Sequence, residues 1–121
     1  MSALQTRGPS GRKTKVTAPT GGYSSGDIVP LRTGTSGWCG IAVSDAAATE
    51  DCVVEYGHQV QVPKNTGTGE SFTHGALVYR DASTGDATAT ATGNDLMGAC
   101  AEQAAVGTSA TTVWVALGSP A

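Results

Sequence analysis

The chain has 121 residues, which suffices for one domain with a core but not for two. Charged residues make up 14% and aromatic residues 5%, and much of the 39% that is hydrophobic is alanine, so we expect a thin core and extra stability from oligomerisation. No apolar run approaches the roughly 20 residues of a membrane span, and no signal-peptide core follows the first basic residues, so we expect a cytoplasmic product and no membrane partner.

Basic residues are concentrated at the start of the chain. Four of them lie in the first fifteen positions: Arg7, Arg12, Lys13 and Lys15. No acidic residue accompanies them, so a segment of charge +4 precedes a remainder of charge −7. We expect residues 1–15 to form an extended arm that binds either nucleic acid or an acidic protein surface. Because no aromatic residue is interleaved with these charges, nucleic acid is the less favoured partner.

Short apolar segments and turn residues alternate through the rest of the chain. The first predicted strand begins at Val16, and the others are 28–32, 38–44, 52–64, 76–81, 87–92, 96–103 and 111–118. Pro30 suits a sheet edge or a bulge, and Gly57 suggests a bulge or bend inside the strand 52–64.

The segment 87–92 alternates alanine with threonine, which favours a strand with one small face and one β-branched face. Gly93-Asn94-Asp95 predicts a turn after it. Propensity alone would allow a helix over 96–103, but Gly98 and the preceding turn favour a strand. In 111–118, Val113, Val115 and Leu117 share one face.

About eight short strands with little helix predict an all-β fold. We expect a small single-domain β-barrel or β-sandwich over residues 16–121, preceded by the extended arm 1–15.

The three cysteines are widely spaced and include no C-x-x-C pair, which disfavours a disulfide framework and a zinc site. We expect Cys39, Cys52 and Cys100 to be small buried apolar residues.

No catalytic or cofactor-binding motif is present in the sequence. "GPSGRKTK" has the wrong spacing for a phosphate-binding loop, and no G-x-S-x-G occurs. His58 and His74 could bind a metal but fit polar surface positions better, and the carboxylates Glu50, Asp51 and Asp81 fit solvated turns. We therefore expect that the protein is not an enzyme and that it binds no cofactor and no metal.

Trp38 and Trp114 both fall on predicted strands, where each either packs in the core or anchors an interface. Candidate residues for an interface with a partner protein or a neighbouring subunit are Arg7, Arg12, Lys13, Lys15, Trp38 and Trp114.

The order of "TAPTGGYSSGDIV", "GIAVSDAA", "YGHQVQVPK", "GALVYRD", "TATATGNDLMGACAEQAA" and "VWVAL" resembles a family of small phage structural proteins. These are the capsid cement or head decoration proteins, which also carried an older "RecA/RadA-like" label. The resemblance covers residues 16–117. A RecA-like protein would need a phosphate-binding loop, and because this sequence has none, the older label does not fit it.

The resemblance implies a non-enzymatic virion protein that binds the outside of the assembled capsid. Its partners would be the major capsid protein and other copies of itself, as a homotrimer or alternatively a homodimer, after assembly in the host cytoplasm. Two features depart from the family pattern: the basic "RGPSGRKTK" precedes its usual start, and Arg80 stands where the family often has tryptophan.

Two other functions remain as alternatives. A head fibre or adhesion module that binds a host surface or glycan would expose aromatic residues on loops, where this sequence has Tyr23 and Phe72. A nucleic-acid-binding protein would act through the basic arm, and its binding would weaken steeply with salt.

Overall fold

The computed structural model describes residues 5–7, 12–32, 34, 38–57 and 59–117. Within these ranges the chain forms β-strands and no helix, which confirms the all-β prediction. The strands are β1 (Gln5–Arg7), β2 (Arg12–Thr17), β3 (Ile28–Arg32), β4 (Trp38–Ala42), β5 (Asp51–Tyr56), β6 (Gln59–Pro63), β7 (Leu77–Arg80), β8 (Ala87–Thr88), β9 (Asp95–Cys100) and β10 (Thr112–Leu117).

The strands form two antiparallel sheets. One has six strands in the order β1-β6-β10-β9-β7-β8, and the other has four in the order β2-β5-β4-β3. The sheets pack on each other where β4 meets β9. Of the two predicted architectures, this layered arrangement corresponds to the sandwich rather than the closed barrel.

A first apolar cluster fills the space between the sheets. The four-stranded sheet contributes Ile28, Cys39 and Ile41, and most of the remaining members come from the six-stranded sheet. Strand β10 alternates buried and half-buried side chains, so that the valines of "TVWVAL" point inward. This is the face predicted from the sequence, and it arises because side chains of a strand point alternately to its two sides.

A second apolar cluster lies on the opposite, outer face of the four-stranded sheet. Its buried members are Ala18, Val29, Ala42, Ala46, Cys52 and Val54. The loops 18–27 and 43–50 cover them and are joined by backbone hydrogen bonds in both directions between Tyr23 and Ala46. The sheet is thus buried on one face by another sheet and on the other by loops.

Several local predictions are confirmed. Strand β3 lies at a sheet edge and its register shifts between Pro30 and Arg32, as the proline suggested. Residues Asp95–Cys100 form a strand rather than a helix. The turn before it is present, with Gly93 at φ 77° and the Asn94 amide donating to the Ala91 carbonyl.

Two predicted strands are wrong in extent. The segment 52–64 is two strands, because Gly57, at φ 89°, ends β5 in one sheet before β6 begins in the other. The alternating segment 87–92 pairs only over Ala87–Thr88, and Ala87 packs in the first cluster. Glu70 explains this early end: its carboxylate accepts hydrogen bonds from the Thr88 hydroxyl and from the Ala89 amide.

The predicted arm takes part in both sheets. Strand β1 pairs with β6 at the edge of the six-stranded sheet, and β2 pairs with β5 at the edge of the four-stranded sheet. Strand β2 continues through the predicted boundary at residue 15 as far as Thr17.

Candidate functional site

The six candidate interface residues lie in two groups on different sheets. Arg12, Lys13 and Lys15 lie on β2 and Trp38 lies on β4, all in the four-stranded sheet. Arg7 and Trp114 lie on β1 and β10 of the six-stranded sheet. The sequence therefore pointed to two surfaces rather than one.

The first surface is one end of the outer face of the four-stranded sheet. Here Leu31, Trp38 and Tyr56 form what we call the aromatic end, and each of the three side chains is half-buried. The rings of Trp38 and Tyr56 meet edge to face, with centroids 4.6 Å apart and planes at 65°. Such a pair holds both rings in fixed orientations while part of each stays accessible to another molecule.

Close strand approach positions this aromatic end. A Cβ atom at Gly40 would lie only 2.5 Å from Val54 Cγ1 and 3.3 Å from Leu31 Cδ1, so only glycine fits between these side chains. The register shift in β3 brings Arg32 opposite Trp38. The aromatic end is therefore assembled from three strands whose pairing depends on one glycine and one bulge.

Arginines of the neighbouring strands stand opposite the aromatic end in the strand register. Arg32 is exposed opposite Trp38, and Arg12 stands opposite Tyr56 in the strand register. Lys13 is exposed and stands opposite Glu55. The strand that carries these basic residues is thus a sheet edge, and Lys13, because it pairs with Glu55, lies on the face of the sheet opposite that of Tyr56.

The second surface is the outer face of the six-stranded sheet. Trp114 is half-buried there and lies opposite Gln61 on β6. Ala116 and Ala99 lie opposite each other, and Leu77, opposite Ala99, is 46% exposed. The described side chains of this face are mainly small or uncharged.

A polar groove opens on the same sheet. It has a volume of about 540 Å³ and is lined by Gln59, His74, Ala101, Glu102, Gln103 and Ala104. His74 is exposed, and its Nδ1 lies 2.9 Å from the Glu102 carbonyl oxygen. His58 lies outside the described residues. Among the residues that are described, no three His, Cys, Asp or Glu side chains come together as a metal-binding group would require.

All three cysteines are buried free thiols, as predicted. The Cys39 thiol contacts the Leu96 carbonyl oxygen at 3.3 Å, and burial raises its pKa to about 12. Burial also raises the pKa of Cys52 and of Cys100. At neutral pH these groups are therefore protonated and behave as small apolar side chains.

A buried lysine is a feature that the sequence patterns missed. Lys64 is 4% exposed, and its ammonium group donates to the carbonyl oxygens of Asn65 and Ala110 at 2.8 and 3.0 Å. Burial lowers its pKa. Together with Glu70 it fastens the loop 64–72 to neighbouring segments. The lysine followed the alternating strand β6 in sequence, but nothing local indicated burial.

Comparison with known proteins agrees with the resemblance seen in the sequence. No helix formed by the described residues is long and apolar enough to cross a membrane. No curated protein and no solved structure matches the chain. The family model described as phage cement protein matches residues 9–117. The matched region therefore includes Arg12, Lys13 and Lys15. The expectation that "RGPSGRKTK" precedes the family region is wrong from Pro9 onward. The chain belongs to the phage cement protein family, whose members associate with the phage capsid.

Proposed function

We propose that this protein decorates the outer surface of the assembled phage head. In this proposal it binds the major capsid protein at capsomer junctions as a homotrimer and stabilises the shell without catalysing a reaction. The observation that carries the proposal is the family match over residues 9–117, which includes every strand of both sheets except β1.

The physical argument is that of a clamp. Packaged DNA exerts pressure on a shell, and the junctions between capsomers are where neighbouring subunits separate first. A protein that contacts two subunits at once opposes that separation, and many copies acting together make a modest affinity per site effective. The aromatic end of the four-stranded sheet and the outer face of the six-stranded sheet give this chain two separate surfaces for such contacts.

The arm requires a more careful test than deletion. Removing residues 1–15 would take away β1 and most of β2, so that both sheets would lose an edge strand. Replacing the exposed Lys13 and Lys15 by glutamine keeps the strand and removes two charges. If the basic strand binds the capsid, the K13Q/K15Q variant should sediment with capsids several-fold less than the unaltered protein at equal stability.

The central experiment is co-sedimentation of the protein with intact particles, with the copies per capsomer counted. A cement role predicts a fixed stoichiometry that saturates. It also predicts that particles lacking the protein release DNA at a lower temperature or after milder ionic stress. Equal heat resistance with and without the protein would reject the stabilising role.

The adhesion alternative would use the loop aromatics Phe72 and Tyr23, of which Phe72 is buried and Tyr23 is half-buried. Phe72 is 2% exposed and belongs to the first cluster, and Tyr23 packs against the second cluster. The polar groove with His74 and Glu102 is the feature that this alternative could still use. Binding of the isolated protein to a glycan array would favour it, and loss of that binding in His74→Ala would assign the groove.

The nucleic-acid alternative is tested through salt. Binding through the basic strand would weaken steeply with salt. Absence of any DNA mobility shift at low salt would remove this alternative.

A further inference from the structure

Two loops that are fastened to the core supply most of the polar groove on the six-stranded sheet. Phe72 and Val106 exchange backbone hydrogen bonds of 3.0 and 2.8 Å, and both side chains are buried in the first cluster. The Gly75 amide donates to the Cys100 carbonyl at 2.9 Å, and the Cys100 amide donates to the Ala76 carbonyl at 2.8 Å. The groove is therefore formed before any ligand binds, which lowers the entropic cost of binding.

We propose that this groove binds a sugar unit of a neutral saccharide. This binding function goes beyond the proposed attachment to the capsid and does not replace it. The groove adjoins the six-stranded sheet, whereas the aromatic end belongs to the four-stranded sheet, so the two surfaces are separate.

The groove offers both donors and acceptors of hydrogen bonds. Gln59 and Gln103 each carry an amide group with two donor hydrogens and an acceptor oxygen, and Gln103 is exposed. Glu102 adds a carboxylate, which accepts stronger hydrogen bonds than a neutral oxygen does. A sugar hydroxyl group donates one hydrogen bond and accepts others, so it needs partners of both kinds. The side chains of this groove meet that requirement.

Hydrogen bonds to the backbone position two of the polar side chains in the groove. His74 Nδ1 lies 2.9 Å from the Glu102 carbonyl oxygen, and because a carbonyl oxygen can only accept, Nδ1 carries the hydrogen. The neutral ring then presents Nε2 as an acceptor for a ligand hydroxyl. The Trp114 amide donates to Glu102 Oε2 at 3.4 Å, which leaves Oε1 as the acceptor for a ligand. The Ala101 amide donates to the Trp114 carbonyl at 2.8 Å and holds the same loop beside β10.

The charge and size of the groove favour a neutral saccharide over other ligands. Its six lining residues include no lysine or arginine, and Glu102 is the only acidic one, so a phosphate or an acidic sugar would be repelled. A metal ion needs several ligands together, and the described residues form no such group. Only Ala101 and Ala104 are apolar, which gives an apolar ligand little to contact. The volume of about 540 Å³ lies within the range of about 300–1,000 Å³ of small-molecule sites.

Direct binding measurements on the unaltered protein test the inference. The probes are the methyl glycosides of glucose, galactose, mannose and N-acetylglucosamine, titrated into isotope-labelled protein and followed by NMR, and an array of neutral and sialylated glycans. The expected result is binding of at least one neutral sugar, with chemical shift changes at His74, Glu102 and Gln103. Absence of binding to every neutral sugar in both formats, binding of acidic glycans alone, or shift changes confined to other residues would overturn the inference.

Variants of the groove should weaken binding of the sugar found in this way. His74→Ala and Gln103→Ala each remove a hydrogen-bonding group at an exposed position and should weaken binding about three- to tenfold. Glu102→Gln keeps the shape and the acceptor oxygen, and loss of the charge should weaken binding of a neutral sugar several-fold. Thr108→Ala and Glu50→Gln are matched controls at exposed positions outside the groove, and both should bind normally. Full binding in all three groove variants would overturn the inference.

Co-sedimentation with capsids distinguishes this inference from the proposed function. His74→Ala and Gln103→Ala should sediment with capsids as the unaltered protein does, while their binding of the sugar is weakened. If they lose capsid binding and the unaltered protein binds no sugar, the groove contacts the capsid protein, and the inference fails while the proposed function stands. If the unaltered protein does not sediment with capsids but binds a neutral sugar in the groove, the proposed function fails and the saccharide site stands.

Discussion

The two apolar clusters share the strand β4 and differ in what covers them. On one face of β4, Cys39 and Ile41 pack against a second sheet. On the other, Ala42 is covered by loops that stop before Trp38. A sheet packed on a sheet is closed along the whole contact, whereas a sheet covered by loops is closed only as far as the loops extend. The first arrangement supplies stability and the second leaves a surface for another molecule.

The largest effect is expected from crowding the six-stranded sheet. A Cβ atom at Gly98 would collide with the carbonyl group of Ala116 in β10 and lie 3.2 Å from Val115 Cγ1. Because the nearest atoms are backbone, relief requires the strands to separate, and Gly98→Ala should cost about 3 kcal/mol of unfolding free energy in urea. Gly107→Ala is the matched control, since nothing lies within 4 Å of its Cβ position, and it should be neutral.

The same change in the four-stranded sheet should cost less. A Cβ atom at Gly40 would meet Val54 Cγ1 at 2.5 Å and the Glu55 carbonyl oxygen at 2.8 Å. Val54 lies under the loops, which can shift, so we expect Gly40→Ala to cost about 1–2 kcal/mol. An equal or larger loss than for Gly98→Ala would show that the loops hold the second cluster as rigidly as the sheet holds the first.

Creating a cavity in each cluster by truncating a buried valine compares the two clusters in a second way, through the free energy of unfolding. Val60 in the first cluster and Val54 in the second are both fully buried. Truncation to alanine removes the same atoms, but the cost depends on how far the surroundings relax into the space. Val60→Ala should cost about 2–3 kcal/mol and Val54→Ala about 1–2 kcal/mol, measured by urea unfolding. The reverse order would contradict the difference in cover.

The fold was predictable where a single strand carries its own pattern. Strand β10 alternates because one of its faces is buried, and that period is visible in the residues themselves. The prediction erred at Gly57, since local sequence shows a break but not that the next strand joins another sheet. It erred again after Thr88, because the competing acceptor is Glu70, eighteen residues away.

The candidate site was predictable in its residue types but not in its assembly. Trp38 was a candidate, yet its partner Tyr56 was not, because their contact depends on the register of β4 and β5. The basic residues were assigned to an extended arm outside the β domain, whereas β2 pairs along its whole length with β5. Strand pairing between distant segments is the information that a single sequence lacks.

The smallest effect is expected for local opening of the structure, which can be measured at the cysteines. It tests directly whether loops cover the second cluster less firmly than a sheet covers the first. Cys39 lies in the first cluster and Cys52 in the second, and both are 0% exposed. Exposing Cys39 requires the sheets to separate, which is close to global unfolding, whereas exposing Cys52 requires only that the covering loops open. In variants that retain one cysteine each, Cys52 should therefore react faster with a thiol reagent, as followed by mass spectrometry under native conditions.

The stability of the protein at alkaline pH and the urea dependence of the labelling rates complete the test. Burial raises the pKa of Cys39 to about 12 when folded, so the folded state holds the thiol proton more tightly than the unfolded state does. The resulting stability is fully present below the ordinary thiol pKa of about 8.5–9 and is lost as pH rises from there toward 12. Cys39→Ala should flatten this alkaline loss of stability.

Low concentrations of urea should strongly accelerate the labelling of Cys39, because its exposure requires global unfolding, which exposes much surface. They should accelerate the labelling of Cys52 only weakly. Equal rates with the same urea dependence would mean that the loops and the sheets open as one cooperative unit, and that the partial cover of the second cluster has no counterpart in its dynamics.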